Sequence, residues 1–179
     1  MDESQKDDED LLARIAQGDM TAMKTLYERH VGVVERFVRT KLRDHFEVGD
    51  VVHNTMLDVW RSAGRFQGRS SVRSWILSIA RNKTVDYIRK AARTELSAPD
   101  ETVPDDSADP VAVIAAAQDA ERVRNCVAKL GEQHRAAVQL AFFDDMTYAE
   151  IAIAENVPEG TIKTRIFHAK KLLMRCLSG

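Results

Sequence analysis

Residues 93–112, RTELSAPDETVPDDSADPVA, hold three of the chain's four prolines, six acidic residues and almost no large apolar side chain. Such a stretch cannot bury enough surface to offset the entropy of ordering it, and each residue before a proline is pushed away from the helical region. Any hydrophobic core must therefore be built separately on either side. The expected organisation is an N-terminal domain over 1–93, a flexible acidic linker over 94–114 and a smaller C-terminal domain over 115–179.

Both flanking parts carry the three-and-four spacing of amphipathic helices. From Met20, the positions Met23, Leu26, Tyr27, His30, Val34, Phe37, Val38 and Leu42 form one apolar stripe. A short helix over 9–17 is expected before it. Val48, Val51, Val52, Thr55, Met56 and Val59 form a second stripe ending near Trp60, followed by the loop RSAGRFQGRSS. Ser70 or Ser71 is placed to cap a third helix that runs to about Ala92. Beyond the linker, a helix with Val123, Cys126, Val127 and Leu130 is expected to stop at Gly131 as its C-terminal cap. Helices over 132–143, 147–155 and 158–175 complete the chain. With only 8 Gly and 6% aromatic residues, the composition agrees with an all-α fold of two small helical domains.

The formal charge of −2 hides a segregated distribution. Residues 61–93 contain nine Lys or Arg against the single Asp86, whereas 94–121 contain eight acids and no base. With the basic C-terminal helix (Lys163, Arg165, Lys170, Lys171, Arg175), that makes two basic surfaces separated by an acidic connector, the pattern of two separate contacts with DNA. No run of about 18 apolar residues and no basic-then-apolar leader is present, so neither a membrane span nor a signal peptide is expected, and the chain is assigned to the cytoplasm. Cys126 and Cys176 sit at apolar helical positions without CxxC spacing and are read as buried thiols rather than a disulfide. The five histidines have no ligand spacing, and no nucleotide-binding glycine loop, nucleophile–base arrangement or paired carboxylate stands out. No metal, no cofactor and no catalysis are expected.

Thr147 and Glu150 form a T-x-x-E capping box, Asn156 suits the left-handed residue of a tight turn, and Pro158 suits the start of the next helix. The inward stripe of that helix is Ile162, Ile166, Ala169, Leu173 and Cys176. Its outward face is Gly160, Lys163, Thr164, Phe167, His168 and Lys171, with small residues first, donors in the middle and an aromatic ring. A helix entering the major groove requires such a face. Arg165 and Lys170 flank it, where phosphates would lie. An αα-hairpin with a solvated basic face satisfies the same spacing and stays open at this point.

The string YAEIAIAENVPEGTIKTRIFHAKKLL, Tyr148 to Leu173, resembles region 4 of bacterial sigma factors of the extracytoplasmic-function type, with its P-x-G-T-x-K-[ST]-R run. The resemblance implies that this helix reads the minus 35 promoter element through Gly160, Thr161, Lys163, Thr164, Arg165, Phe167 and His168, with Lys171 on the same face. His168 stands where the pattern usually has Arg. FQGRSSVRSWILSIARNKTVDYIRK, Phe66 to Lys90, is similar to the family's segment for the minus 10 element and the unpaired strand. The residues it implies are Arg65, Phe66, Arg73, Arg81, Asn82, Lys83, Asp86, Arg89 and Lys90, while Trp75 and Ile79 are expected in the core. DVVHNTMLDVW, Asp50 to Trp60, resembles the region 2.2 pattern that docks on the clamp helices of the largest polymerase subunit. It implies Asp50, Val51, His53, Asn54, Leu57 and Arg61, with His53 and Asn54 in place of the common Gln and acid.

Taken together, the resemblance implies a sigma factor without catalytic activity, whose partners are core RNA polymerase, promoter DNA and an anti-sigma factor. Two other classes remain: a helix-turn-helix regulator acting without polymerase, and a helical adaptor that binds only protein. A regulator would carry a receiver or ligand pocket where this chain has a polymerase-docking pattern.

Overall fold

Asp19 and Asp44 fix where two helices begin. Each carboxylate accepts from the amides two and three residues on, at 2.9 and 3.0 Å from Thr21 and Ala22 and at 2.8 and 3.0 Å from Phe46 and Glu47. The computed structural model describes residues 3–94 and 114–178, and among these there is helix and turn but no strand. The elements are α1 (Glu3–Ile15), α2 (Met20–Arg39), α3 (His45–Ser62), a 3-10 turn (Ala63–Arg65), α4 (Val72–Thr94), α5 (Ile114–Ala128), α6 (Glu132–Val138), a π turn (Gln139–Phe143), α7 (Tyr148–Glu155) and α8 (Glu159–Ser178). The expected linker falls outside the described residues except at its two ends.

In the N-terminal half α2, α3 and α4 pack pairwise and α1 lies along α2. The predicted stripes meet: Leu26, Val34, Phe37 and Val38 of α2, Val48 and Val59 of α3, and Ile76, Leu77 and Ala80 of α4 are all buried. Trp75 and Ile79 are half-buried against this core rather than inside it. Ser71 opens α4, its hydroxyl accepting from the Ser74 amide at 3.2 Å. The first helix begins at Glu3, six residues before the expected start, and so carries Asp8.

Asp8 is 5% exposed and lies between Arg29, 2.9 Å away, and His30, 2.6 Å away. Burial alone would raise its carboxyl, but hydrogen bonds and charge from His30 and Arg29 outweigh burial and hold it below the ordinary 3.8. A depressed folded-state value stabilises the fold at pH above the ordinary carboxylate range, and that contribution is lost as pH falls below 3.8 toward the folded value. Asp8→Asn should cost about 2 kcal/mol at neutral pH, and the gap from wild type should narrow in that acid window. Chemical denaturation at a series of pH values measures it; a gap that widens on acidification contradicts the assignment.

The C-terminal half is a helix-turn-helix on two supporting helices. Thr147 and Glu150 form the full capping box, and Asn156 closes α7 in the left-handed conformation at φ 53°. Ile151 and Ala154 of α7 and Ile162, Ile166 and Ala169 of α8 are buried, while Leu173 and Cys176, the last two positions of the predicted inward stripe, are half-buried.

Two expectations are corrected. Gly131 is not a left-handed helix cap: α5 ends at Ala128, and Gly131, at φ −58°, is the residue that leads into α6. Cys126 and Cys176 are not separate thiols but are joined as a disulfide, their Cα atoms 5.9 Å apart. Antiparallel packing of α5 on α8 puts both on one seam, a pairing that positions 50 residues apart in sequence do not announce. No helix among the described residues is long and apolar enough to cross a membrane.

Candidate nucleic-acid interface

α8 presents its outward face as the spacing predicts: Gly160, Lys163, Thr164, Phe167, His168 and Lys171 are exposed. Phe167 is 64% exposed, unusual for a ring without a partner surface. The Thr164 hydroxyl donates back to the Gly160 carbonyl at 2.9 Å, and Lys163 is drawn along the helix to Glu159 at 2.8 Å. That hydrogen bond and the Glu159 charge raise the Lys163 pKa, so its ammonium is kept as an anion-seeking group. Thr161 is half-buried at the start of the helix. Arg165 departs from the rest: its side chain is only 14% exposed and lies 3.6 Å from Glu155 of α7.

The candidate residues of α4 divide into two sets. Asn82, Asp86, Arg89 and Lys90 are exposed, as is Arg65 in the preceding turn. Arg81 is half-buried, with Nη1 3.3 Å from the Asn82 side-chain oxygen. The others are held against other elements: Lys83 pairs with Asp58 of α3 at 2.6 Å, and Phe66 packs edge-on against Trp75 with centroids 5.3 Å apart, while Arg89 lies 3.9 Å from Asp86 on the exposed side of α4 itself. Arg73 donates to the Asp144 carbonyl at 2.8 Å.

On α3, Asp50, His53, Asn54, Leu57 and Arg61 line one exposed face, with Leu57 as its apolar centre. Val51 is 2% exposed and belongs to the core beneath them. Among the described residues no cluster of His, Cys, Asp and Glu is arranged to hold a metal ion.

The two halves also touch each other, which sequence reasoning missed. α7 packs against α4. Asp144, its side chain 1% exposed, accepts from Arg36 Nε of α2 at 3.0 Å. Arg135 of α6 donates to the Thr40 carbonyl at 2.9 Å. Lys41, 7% exposed, lies 3.3 Å from Glu155, which thus sits between the cations Lys41 and Arg165. Neither Glu155 Oε1 nor Arg165 Nη1 makes an aligned hydrogen bond, so this cluster is held by charge rather than by directed contacts. Burial raises the Glu150 carboxyl, but hydrogen bonds from Thr147 and Ser71 and the Arg73 charge carry it below its ordinary value. None of the contacts between the halves, 108 residues apart for Arg36 and Asp144 and further still for Lys41 and Glu155, has a periodic signal.

Residues 26–94 match the family model Sigma-70 region 2, and residues 120–173 match Sigma-70, region 4. The chain is 32% identical over 151 residues to the ECF RNA polymerase sigma factor RpoE of Cereibacter sphaeroides, covering 83% of this chain and 82% of that one. It is 30% identical over 175 residues to the ECF RNA polymerase sigma factor SigK of a Mycobacterium species, covering 93% and 89%. Among solved structures it resembles CnrH in complex with the cytosolic domain of CnrY, at TM-score 0.68 and 25% identity over 96% of this chain and 97% of that chain. The fold is likewise that of RpoE from Bartonella quintana, solved with the anti-sigma factor NepR, at TM-score 0.69 and 22% identity over 87% and 96%.

Proposed function

This chain belongs to the sigma-70 family of RNA polymerase sigma factors, in the extracytoplasmic-function group, and from that premise we propose how its surfaces divide the work. It binds core RNA polymerase, directs it to promoters and helps open the DNA. The region 2 domain, 1–93, docks on the clamp helices of the largest subunit through the α3 face around Leu57 and reads the minus 10 element through α4. The region 4 domain, 115–179, reads the minus 35 element through α8, and 94–114 tethers the two. The chain acts in the cytoplasm as a non-catalytic subunit. RpoE of Bartonella quintana was solved bound by an anti-sigma factor, and we extend an inhibitor of that kind to this chain.

The observation that carries this reading is the outer face of α8, where exposed Lys163, Phe167 and His168 are backed by a fully buried Ile162 and Ile166 stripe. Such a helix can enter a major groove without disturbing its own core. Run-off transcription with purified core polymerase on DNA from upstream of its own gene tests the reading. A transcript that depends on both the chain and the promoter supports it. Specific binding of the chain to that DNA without polymerase, and no transcript with it, favours a stand-alone regulator.

The docked halves belong to a resting state. Elements centred about 25 base pairs apart are separated by roughly 80 Å at 3.4 Å per step, while here α4 and α7 are in contact. The 19 residues between α4 and α5, 95–113, could span up to roughly 65 Å, which lets the domains part on polymerase. Asp144→Ala removes the acceptor for Arg36. Because Arg36 is half exposed, the loss is about 2 kcal/mol, a factor of about 30 toward the open form. Small-angle scattering should show a larger radius of gyration for the variant at an unchanged melting profile. An unchanged radius would mean that the latch lies elsewhere.

A further inference from the structure

The reading surface of α8 does not end at α8. A groove of about 390 Å³ runs along its flank, walled on one side by Gly160, Thr161, Thr164, Arg165 and His168 and on the other by Gln133 and His134 of α6. The His134 and His168 rings face each other edge-on, with centroids 6.4 Å apart. Gln133 is exposed and His134 half-buried, and the side chains of Gln133, His134 and His168 make no hydrogen bond within the described protein. Glu132, their acidic neighbour, lies instead 3.5 Å from Lys41.

A helix about 10–12 Å across fills a major groove about 12 Å wide, so side chains beside its flank meet the phosphate strand bordering the groove. We propose that Gln133 and His134 are a second wall of the minus 35 interface, donating to one phosphate of the strand beside α8 and setting the register at which Lys163, Thr164 and His168 meet the bases. This inference rests on the reading of α8 given above and deepens it. Arg165 also lines the groove, but its side chain is only 14% exposed and is drawn to Glu155 at 3.6 Å, so the two α6 side chains are the uncommitted donors on this flank. Phosphate contacts fix position without carrying sequence information, whereas base contacts carry it. The roles of Gln133 and His134 on one side, and of His168 on the other, therefore separate experimentally.

The test uses the full chain bound to core polymerase and a duplex that this complex selects from a randomised library. The Gln133→Ala, His134→Ala double variant should bind that duplex about tenfold more weakly, with the same loss on a duplex mismatched at one minus 35 base, so that the specificity ratio is unchanged. His168→Ala should change the ratio. His134→Lys should raise affinity and steepen the salt dependence of log K by about 0.9, the increment of one phosphate contact. Asn125→Lys, the same charge on the exposed surface of α5, should not. Circular dichroism melts check that each variant folds. Affinity of the double variant within twofold of wild type overturns the inference and leaves the reading of α8 standing. The same holds if His134→Lys has no steeper salt slope than Asn125→Lys. Failure of the wild-type complex to select any minus 35 sequence sinks both together.

Discussion

Replacing Lys163 and Phe167 together by alanine should reduce promoter-dependent transcription on the order of a thousandfold while leaving the affinity for core polymerase unchanged. Both side chains are exposed, 61% for the Lys163 side chain and 64% for Phe167, whereas the Ile162, Ile166 and Ala169 stripe that holds α8 in place is buried. Alanine is the best helix former, so the helix itself is not weakened. What is lost is contact made only on DNA. A donor to a guanine edge and an apolar contact with a thymine methyl are each worth about 1–3 kcal/mol. Two such losses compound to the stated factor if they are independent. Lys163 must first leave Glu159, 2.8 Å away, and a base edge or phosphate in the groove takes over that role. Glu159→Gln alone should therefore bind promoter DNA slightly better than wild type. Run-off yield and polymerase pull-down measure the two sides. A double variant that transcribes at the wild-type level would mean that α8 is not the reading helix, and a protein-only adaptor would then fit better.

Much of the fold follows from short-range rules. Thr147 and Glu150 lie three apart, Asn156 tolerates a left-handed turn, and Ser71 can cap α4, so the element boundaries there come from the local chemistry of one helical turn. The α8 face was legible for the same reason, since a period near 3.6 places Ile162 and Ile166 inside and Lys163 and Phe167 outside. What could not be read depends on pairs distant in sequence. Arg73 and Lys83 looked like free cations of a basic helix until Asp144 and Asp58 came beside them. Phe66 looked available for a base but lies against Trp75. Val51 sits inside the docking motif and is core, because a motif records residue order and not which side of α3 each position takes. Arg165 belongs to the family's run yet faces Glu155 of α7 in the same domain, a contact between two helices that the period of α8 alone does not announce.

Reduction of the Cys126–Cys176 bond should lower the stability of the C-terminal domain by about 4 kcal/mol, the loop-closure entropy of a crosslink of this size, since the two residues are 50 apart. The loop enclosed contains α6, α7 and most of α8, so the crosslink restricts the unfolded chain over nearly the whole helix-turn-helix. The folded state is tied along the same seam by Arg122, which donates to the Leu177 carbonyl at 3.0 Å, and that contact survives reduction. The N-terminal domain has no cysteine and serves as an internal control. Calorimetry with and without a thiol-free phosphine reductant should therefore move only the transition of the C-terminal domain, downward by roughly ten degrees or more, and Cys126→Ser should reproduce the reduced profile and be insensitive to the reductant. Because the outward face of α8 does not include Cys176, the reduced protein should keep its minus 35 preference at temperatures where it remains folded. Without the bond, the domain would stand on its Ile151, Ile162 and Ile166 core and the Arg122 contact. Identical melts in the oxidised and reduced protein would show that the two sulfurs are not joined in solution, and that the packing of α5 on α8 does without the bond.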